Sequence, residues 1–212
     1  MVKFFHDGGD LMWPLLACAI FGIGVIFWRL VVLTRAGASS KRVIKALRQA
    51  ISDGNIQQAI EICENASGPV AVIMLAGLRR VQRGPESVAK AIENSGTLEM
   101  AFLERGLIWL ATISTIAPML GFLGTTLGMV SAFNAIEVAG EVEATLVAGG
   151  IKIALITTVT GLAVAIPMNI FYNYFVTRID ALILDMEESS AHLLDTLERT
   201  TGTQTAESGV LI

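Results

Sequence analysis

The stretch LIWLATISTIAPMLGFLGTTLGMVSAFNAI occupies residues 107–136 and contains no charged residue. It exceeds the roughly 20 helical residues that cross a hydrocarbon core. Small residues recur in it at steps of three or four, and such a stripe lets a second helix approach closely. We therefore expect a membrane-spanning helix that is buried in a helical assembly. The stripe consists of Ala117, Gly121, Gly124, Gly128 and Ala132, and Pro118 lies inside the same span.

Composition indicates a polytopic membrane protein. Of the 212 residues, 53% are hydrophobic and 16% are charged, whereas soluble domains carry about 25% charged residues. Two further apolar runs occupy residues 11–33 and 153–177. The formal net charge of −4 is small and does not indicate nucleic acid as a partner. The predicted fold class is all-α, with three transmembrane helices extended by cytoplasmic helices.

The basic residues predict the orientation. Six Lys and Arg residues fall between positions 29 and 48, at the end of the first apolar run and just after it, whereas only Lys3 precedes the run. The positive-inside rule then places the N-terminus outside and the C-terminus in the cytoplasm. Arg29 is close enough to the end of its run to snorkel toward the lipid headgroups. Glu137, Glu141 and Glu143 have no basic neighbour, which fits an outer loop.

The predicted segments follow from these runs. The first span covers 11–35, the second 107–136 and the third 151–177. They are joined by a cytoplasmic helical insertion at 36–106 and a periplasmic loop at 137–150. A periplasmic N-terminus covers 1–10, a cytoplasmic helix 178–200 and a disordered tail 201–212. The first apolar run is too long for a cleavable signal, so none is expected.

Cap signals divide the insertion into helices. Ser39 or Ser40 can cap a helix that stops at Gly54, and Asn55 can cap the next. Pro69 and Pro85 suit the first turns of a third and a fourth. We expect the fourth helix to continue through Glu104 and Arg105 into the second span.

Threonines are the polar residues that stand out in the spans. Thr158 lies on a small-residue stripe of the third span, with Ala154, Gly161 and Ala165, and Thr125 lies beside the stripe of the second. Such hydroxyls either bond carbonyls of their own helix or face water or an ion. Thr157 points about 100° away from Thr158, so both can border a pore without both facing it. Lys152 either snorkels at the outer headgroups or faces an ion vestibule.

The spans contain no titratable acid or histidine. Ion translocation usually needs an ionisable group inside the membrane, so a second chain would have to supply it. No nucleophile–base pair or metal-ligand spacing occurs, and Cys18 and Cys63 are expected to be free thiols. The sequence therefore predicts no enzyme, no cofactor and no bound metal. Pro118 and Pro167 free carbonyls that neighbouring helices usually satisfy.

Two motifs resemble the MotA/TolQ/ExbB proton channel family, and its ExbB/TolQ branch most closely. Residues 110–129, LATISTIAPMLGFLGTTLGM, are similar to the second-span signature Ala-Pro-x-x-Gly-x-x-Gly-Thr-x-x-Gly. Residues 150–167, GIKIALITTVTGLAVAIP, are similar to the third-span signature of Gly-Ile, Ala-Leu, Thr, Gly-Leu and Ala-Ile-Pro. The resemblance covers 107–173 well, and the rest by topology.

The resemblance implies a molecular motor. In this family five copies form a ring around two helices of a single-span ExbD/TolR-like partner, whose intramembrane aspartate carries the ion inward. The work passes to the periplasm or outer membrane through a TonB- or TolA-like effector, as in protein and siderophore transport. Thr125 and Thr158 match the family's pore-lining threonines, with Thr157 adjacent.

The resemblance leaves the ion open between protons and sodium. Ile153 stands where many ExbB-like proteins have a glutamate, whereas the pair Thr157–Thr158 is similar to that of sodium-driven members. The rival class is a non-conducting scaffold that holds a partner at the membrane.

Overall fold

The computed structural model describes residues 2–140 and 144–208. Over this part of the chain it consists of helices and turns without a strand, which confirms the predicted all-α class. The helices are α1 (Val2–Asp7), α2 (Met12–Ser52), α3 (Ile56–Glu64), α4 (Pro69–Leu78), α5 (Pro85–Glu104), α6 (Leu107–Ala139) and α7 (Ala144–Ser208), with a short 3-10 helix at Val81–Arg83.

Three helical stretches are long and apolar enough to cross a membrane, as predicted. They are Met12–Ser52, Pro85–Ala139 and Val147–Leu197. Many of their large apolar side chains point outward. Phe122 is 69% exposed and Ile166 is 56% exposed. Such a surface is suited to lipid or to other helices rather than to water. The exact span limits and the side of the membrane on which each terminus lies stay predictions.

The first compact unit combines Met1–Arg29 with Gly106–Phe175. A glycine brings its three apolar helices together. A Cβ atom at Gly22 of α2 would lie 2.5 Å from Sδ of Met168 on α7 and 3.3 Å from Cδ1 of Ile113 on α6. The absence of a side chain at Gly22 therefore lets α2 contact both other helices at one point.

Arg29 does not reach outward as we expected, because it is only 1% exposed. Its guanidinium carbon lies 5.8 Å from the centre of the Trp28 ring. Its Nε and Nη2 atoms have no hydrogen-bond partner among the described residues. The backbone at Gly106 helps to cover it, since a Cβ there would lie 3.7 Å from Cδ of Arg29 and 3.1 Å from the Trp28 ring.

The same glycine interrupts the helix that we expected to run from the insertion into the second span. α5 ends at Glu104 and α6 begins at Leu107. Arg105 is extended, with ψ 121°, and Gly106 is left-handed, with φ +98°. Glycine adopts this conformation without the Cβ penalty that other residues incur. The break at Gly106 corrects the prediction of one continuous helix.

The second compact unit combines Leu30–Arg105 with Val176–Ile212. Most of its short helices begin where the cap signals predict. Asn55 caps α3, and its side-chain oxygen accepts a hydrogen bond from the Gln58 amide at 3.1 Å. Pro69 and Pro85 occupy the first turns of α4 and α5. Gly54, with φ +71°, ends the preceding helix α2 as expected.

The predicted helix start at Ser39 or Ser40 is wrong, because α2 continues through both residues. The Ser40 hydroxyl donates to the Ala36 carbonyl at 2.9 Å within the helix, and the Ser39 hydroxyl bonds the Ser67 carbonyl. No proline interrupts residues 15–52. A helix that is already formed gains one hydrogen bond per added residue, so it propagates past weak breakers such as Gly37.

The C-terminal helix is also longer than expected. α7 continues to Ser208, so residues 201–208 are helical where the sequence predicted a disordered tail. The same propagation accounts for this, because no proline occurs between Pro167 and Ser208. The last four residues of the predicted tail, and Glu141 and Glu143 of the predicted outer loop, lie outside the described residues.

The buried Cys63 thiol of α3 allows a test of the second unit. Burial, and then the nearby Glu64 charge, raise the pKa of Cys63 to about 11 from its ordinary 9.0. Because the thiolate is the reactive form, we expect a Cys18→Ser chain to react with maleimide at pH 8 about 100-fold more slowly when folded than when unfolded. The rate should rise as the pH approaches 11. Equal rates for the folded and unfolded chains, read by mass spectrometry, would contradict this packing.

Candidate ion-pathway site

Helices α6 and α7 pack with their backbones in contact. A Cβ atom at Gly121 would lie 3.1 Å from both the Thr157 carbonyl oxygen and Cα of Thr158, and one at Gly128 would lie 2.7 Å from the Gly150 carbonyl oxygen. A side chain at Gly121 or Gly128 would therefore not fit between the two helices. We call this contact the glycine seam. It comprises Ala117, Gly121, Gly124 and Gly128 of α6 and Gly150, Ala154 and Gly161 of α7.

The pairings along the glycine seam run in opposite directions on the two helices. Ala117 lies opposite Gly161, and Gly128 lies opposite Gly150 and Ala154. The two helices are therefore antiparallel, as expected for a second and a third span joined by a short connection. The small-residue stripes of the second and the third span face each other within this chain. Gly150, the first residue of the third-span motif, also belongs to this contact.

Thr157 fills a notch in α6. It is 0% exposed, and a Cβ atom at Gly124 would overlap its Oγ1 and Cβ atoms. Its hydroxyl donates to carbonyls of its own helix, Ala154 at 2.9 Å and Ile153 at 3.1 Å. Thr157 therefore packs between α6 and α7 in this chain. Its place in the ion pathway stays a prediction.

Thr158 bridges the two helices. Its hydroxyl lies 3.2 Å from the Gly121 carbonyl across the glycine seam and 3.2 Å from the Ala154 carbonyl one turn back on α7. Its side chain is partly exposed. The hydroxyl can therefore exchange one of these acceptors for another group that approaches the exposed side, and it keeps lone pairs with which to accept a hydrogen bond.

Thr125 lies close to the level of Thr158. It follows Gly121 by one helical turn on α6, and Gly121 itself is opposite Thr158, so the two threonines differ by about one turn in depth. The Thr125 hydroxyl donates to the Phe122 carbonyl at 2.6 Å, and the side chain is partly exposed. The register of the glycine seam therefore determines the relative depth of Thr125 and Thr158.

Both prolines lie inside long helices. Pro118 follows the seam residue Ala117 in α6, and Pro167 lies on an exposed position of α7. A proline removes the hydrogen bond to the carbonyl four residues earlier. The carbonyls affected are those of Ser114 and Ala163.

Lys152 has a partner that the sequence analysis missed. Its Nζ atom lies 2.5 Å from Oδ2 of Asp7, which ends the short helix α1. The lysine side chain is 54% exposed. The pair could have been anticipated, because the orientation rule puts the acidic N-terminal lead and the start of the third span on the same side of the membrane. Lys152 is therefore paired with an acid of the N-terminal lead while its side chain stays half exposed.

Within the described residues, no group of His, Cys, Asp and Glu side chains could hold a metal ion. The apolar runs 107–136 and 153–177 contain no Asp, Glu, His, Lys or Arg. The polar groups that contact the glycine seam at Gly121 and Gly124 are hydroxyls and backbone carbonyls. They can solvate a proton carrier or a cation, but they cannot titrate near neutral pH.

Comparison with known protein families identifies the family to which this chain belongs. The family model for the MotA/TolQ/ExbB proton channel family matches residues 65–188, which include both motifs and the whole glycine seam. The chain belongs to this family.

Curated relatives agree with the ExbB/TolQ branch of the family. The putative biopolymer transport protein ExbB homolog of Methanothermobacter thermautotrophicus is 33% identical over 181 residues, 85% of this chain and 64% of that protein. The putative ExbB-like protein 1 of a Synechocystis species is 36% identical over 167 residues, 76% of this chain and 65% of that protein. The Tol-Pal system protein TolQ of Pseudomonas aeruginosa is 38% identical over 98 residues, 46% of this chain and 42% of TolQ.

The chain thus spans slightly less than two thirds of the length of the first two relatives. Membership of this family and the three apolar helices of the described residues make the chain a multi-pass membrane protein.

The close fit of Thr157 against Gly124 predicts that a side chain at position 124 destabilises the protein. Gly124→Ala should destabilise the α6–α7 contact by about 1–3 kcal/mol, as overpacking usually does, because the new methyl group overlaps Thr157. Thermal unfolding of the purified chain in detergent measures this. Gly24→Ala in α2 is the matched control, since its Cβ atom would meet nothing within 4 Å. Equal stability of the two variants would show that the helices do not touch at Gly124.

Proposed function

We propose that this chain is the ring subunit of an ion-driven motor in the bacterial inner membrane. Together with an ExbD/TolR-like partner it conducts protons or sodium ions inward and transmits the energy to the periplasm or outer membrane, through a TonB- or TolA-like effector. The observation that carries the proposal is the partly exposed Thr158 hydroxyl, held on the glycine seam within about a turn of Thr125.

The chemistry of this site requires a second chain. The hydroxyls of Thr125 and Thr158 do not change charge, so they cannot pick up and release a proton themselves. A threonine hydroxyl can donate to a carboxylate and can accept from a carboxylic acid. An aspartate on a partner helix would therefore find a hydrogen-bond partner here in both protonation states, which lowers the cost of moving it past the site.

The exposed apolar surface supports the proposed assembly into a ring. The outward faces of the three apolar helices carry many large side chains, among them Trp109 at 53% and Phe133 at 63% exposure. Lipid covers one such face of a membrane protein, and neighbouring copies and the partner cover the others. We propose a homopentamer, the copy number that the family resemblance implies.

The geometry bears on which ion is carried. Sodium needs several oxygen ligands, and Thr157 points its hydroxyl into its own helix behind Gly124. The hydroxyls of Thr125 and Thr158 are partly exposed, and the Thr158 hydroxyl also contacts the Gly121 carbonyl, so these oxygens are candidate ligands. The third span has Ile153 where many ExbB-like proteins have glutamate, so a carboxylate for protons must also come from elsewhere. Uptake under separate sodium and proton gradients therefore decides the ion.

A scaffold without conduction is the second candidate, and one observation favours it. The hydroxyls of Thr125, Thr157 and Thr158 all donate to backbone carbonyls. Hydroxyls that are already satisfied can serve helix packing alone. A substitution at Thr158 distinguishes the ion-conducting subunit from the scaffold.

We expect Thr158→Val to keep the complex with its partner intact and to lower ion uptake by roughly 10-fold or more, because a hydrogen bond to a charged group contributes about 1.5–3 kcal/mol. Thr125→Val should act in the same direction, and Thr158→Ser should retain uptake. The measurement is ion flux into vesicles that contain the chain and its partner, under a sodium or a proton gradient.

Thr112→Val is the matched control, because among the described residues the Thr112 hydroxyl bonds only the Ile108 carbonyl of its own helix and its side chain is partly exposed, like that of Thr158. Thr112→Val should conduct normally. Loss of the complex in Thr158→Val would assign the residue to packing. Absence of flux in the wild-type complex under both gradients would support the scaffold.

A further inference from the structure

A basic groove lies between α2 and α7 within the second unit. It has a volume of about 450 Å³ and is lined by Leu33, Thr34 and Lys41 of α2 and by Arg178, Leu182 and Asp185 of α7, among others. Leu33 and Leu182 are each 5% exposed and form its apolar floor. Lys41 and Arg178 are exposed, so the groove presents two cations above a hydrophobic base.

Both walls of the basic groove begin where an apolar run ends. Thr34 directly follows the run 11–33, and Arg178 directly follows the run 153–177. The ends of membrane-spanning runs lie at the level of the lipid headgroups. Lys41 is seven residues beyond Thr34, about 10 Å along the helix, and a lysine stem can reach back part of that distance. The groove therefore opens at the headgroup layer of one leaflet.

The charges of the basic groove are available for a ligand. Neither Lys41 nor Arg178 takes part in a salt bridge with the residues that the structure describes. Asp185 is the acidic residue among those that line the groove, and it lies seven residues beyond Arg178, as Lys41 lies seven residues beyond Thr34. Arg178 therefore makes the membrane end of the groove positive, and the Lys41 stem can reach back toward that end. The Asp185 carboxylate offsets part of the positive charge at the far end.

We propose that the basic groove binds the phosphate of an anionic phospholipid from the adjacent leaflet. The Arg178 guanidinium can bond two phosphate oxygens at once, and the Lys41 ammonium supplies a second positive charge. Leu33 and Leu182 contact the apolar part of the lipid below the phosphate. This ligand is separate from the transported ion, and its binding does not depend on the proposed function.

The experiment measures phosphatidylglycerol bound to the purified full-length chain in detergent, by native mass spectrometry over a titration. Lys41→Gln and Arg178→Gln should each weaken binding about fivefold, and the double variant about 25-fold. Asp185→Asn should preserve or strengthen binding, because it removes a negative charge from an anion site. Phosphatidylcholine should bind more weakly than phosphatidylglycerol.

The matched control is Arg42→Gln combined with Lys45→Gln. It removes two exposed bases from the same helix that do not line the groove, and it should change binding less than twofold. An equal loss in this control would overturn the site in favour of general surface charge. Weaker binding in Asp185→Asn would overturn the anionic headgroup, since a zwitterionic lipid would use that carboxylate. Displacement by inorganic phosphate at the same concentration would show that a soluble anion is the ligand.

Discussion

Backbone contact between α6 and α7 is the constraint on which the rest of the membrane part depends. The glycine seam brings Gly121, Gly128 and Gly161 so close to the opposite helix that a Cβ atom would meet backbone atoms at 2.5–3.1 Å. In lipid, helices gain no hydrophobic advantage from packing on each other, so such close van der Waals contact holds them together. The seam also places Thr158 where its hydroxyl reaches the Gly121 carbonyl on the neighbouring helix.

The glycine seam explains why the threonines differ in role although they are neighbours in sequence. Thr157 points into the notch at Gly124 and is sealed there, whereas Thr158 remains partly exposed at the edge of the contact. A rotation of α7 by one residue would exchange the two. The Gly124–Thr157 fit thus decides which of the two threonines stays partly exposed.

The patterns with a direct physical cause were predictable from the sequence. Apolar length located the three long helices, stripes of small residues located the α6–α7 contact, and Asn55, Pro69 and Pro85 located helix starts. Errors arose where tertiary structure overrides a local signal. Serines at 39 and 40 look like caps, but a long helix propagates through them. Burial of Arg29 depends on the backbone at Gly106, a distant residue whose left-handed turn also separates α5 from α6.

The sequence predicted which residues form the candidate site better than it predicted how they are arranged. Residue type and spacing singled out Thr125, Thr157 and Thr158. Thr157 is buried and Thr158 is partly exposed because of the register in which α6 and α7 pack. That register cannot be read from a single sequence. The Asp7–Lys152 pair joins residues 145 positions apart in sequence, and only complementary charge on one predicted side of the membrane hinted at it.

The central claim is that the exposed edge of the glycine seam faces a helix of a second protein. Site-specific photocrosslinking in native membranes tests it most directly, with a diazirine side chain at position 125 or 158 and a control at Phe122, which is 69% exposed on α6. The account predicts that positions 125 and 158 crosslink to a single-span protein, whereas position 122 crosslinks to lipid or to another copy of this chain. Crosslinks from positions 125 and 158 to copies of this chain alone would contradict it.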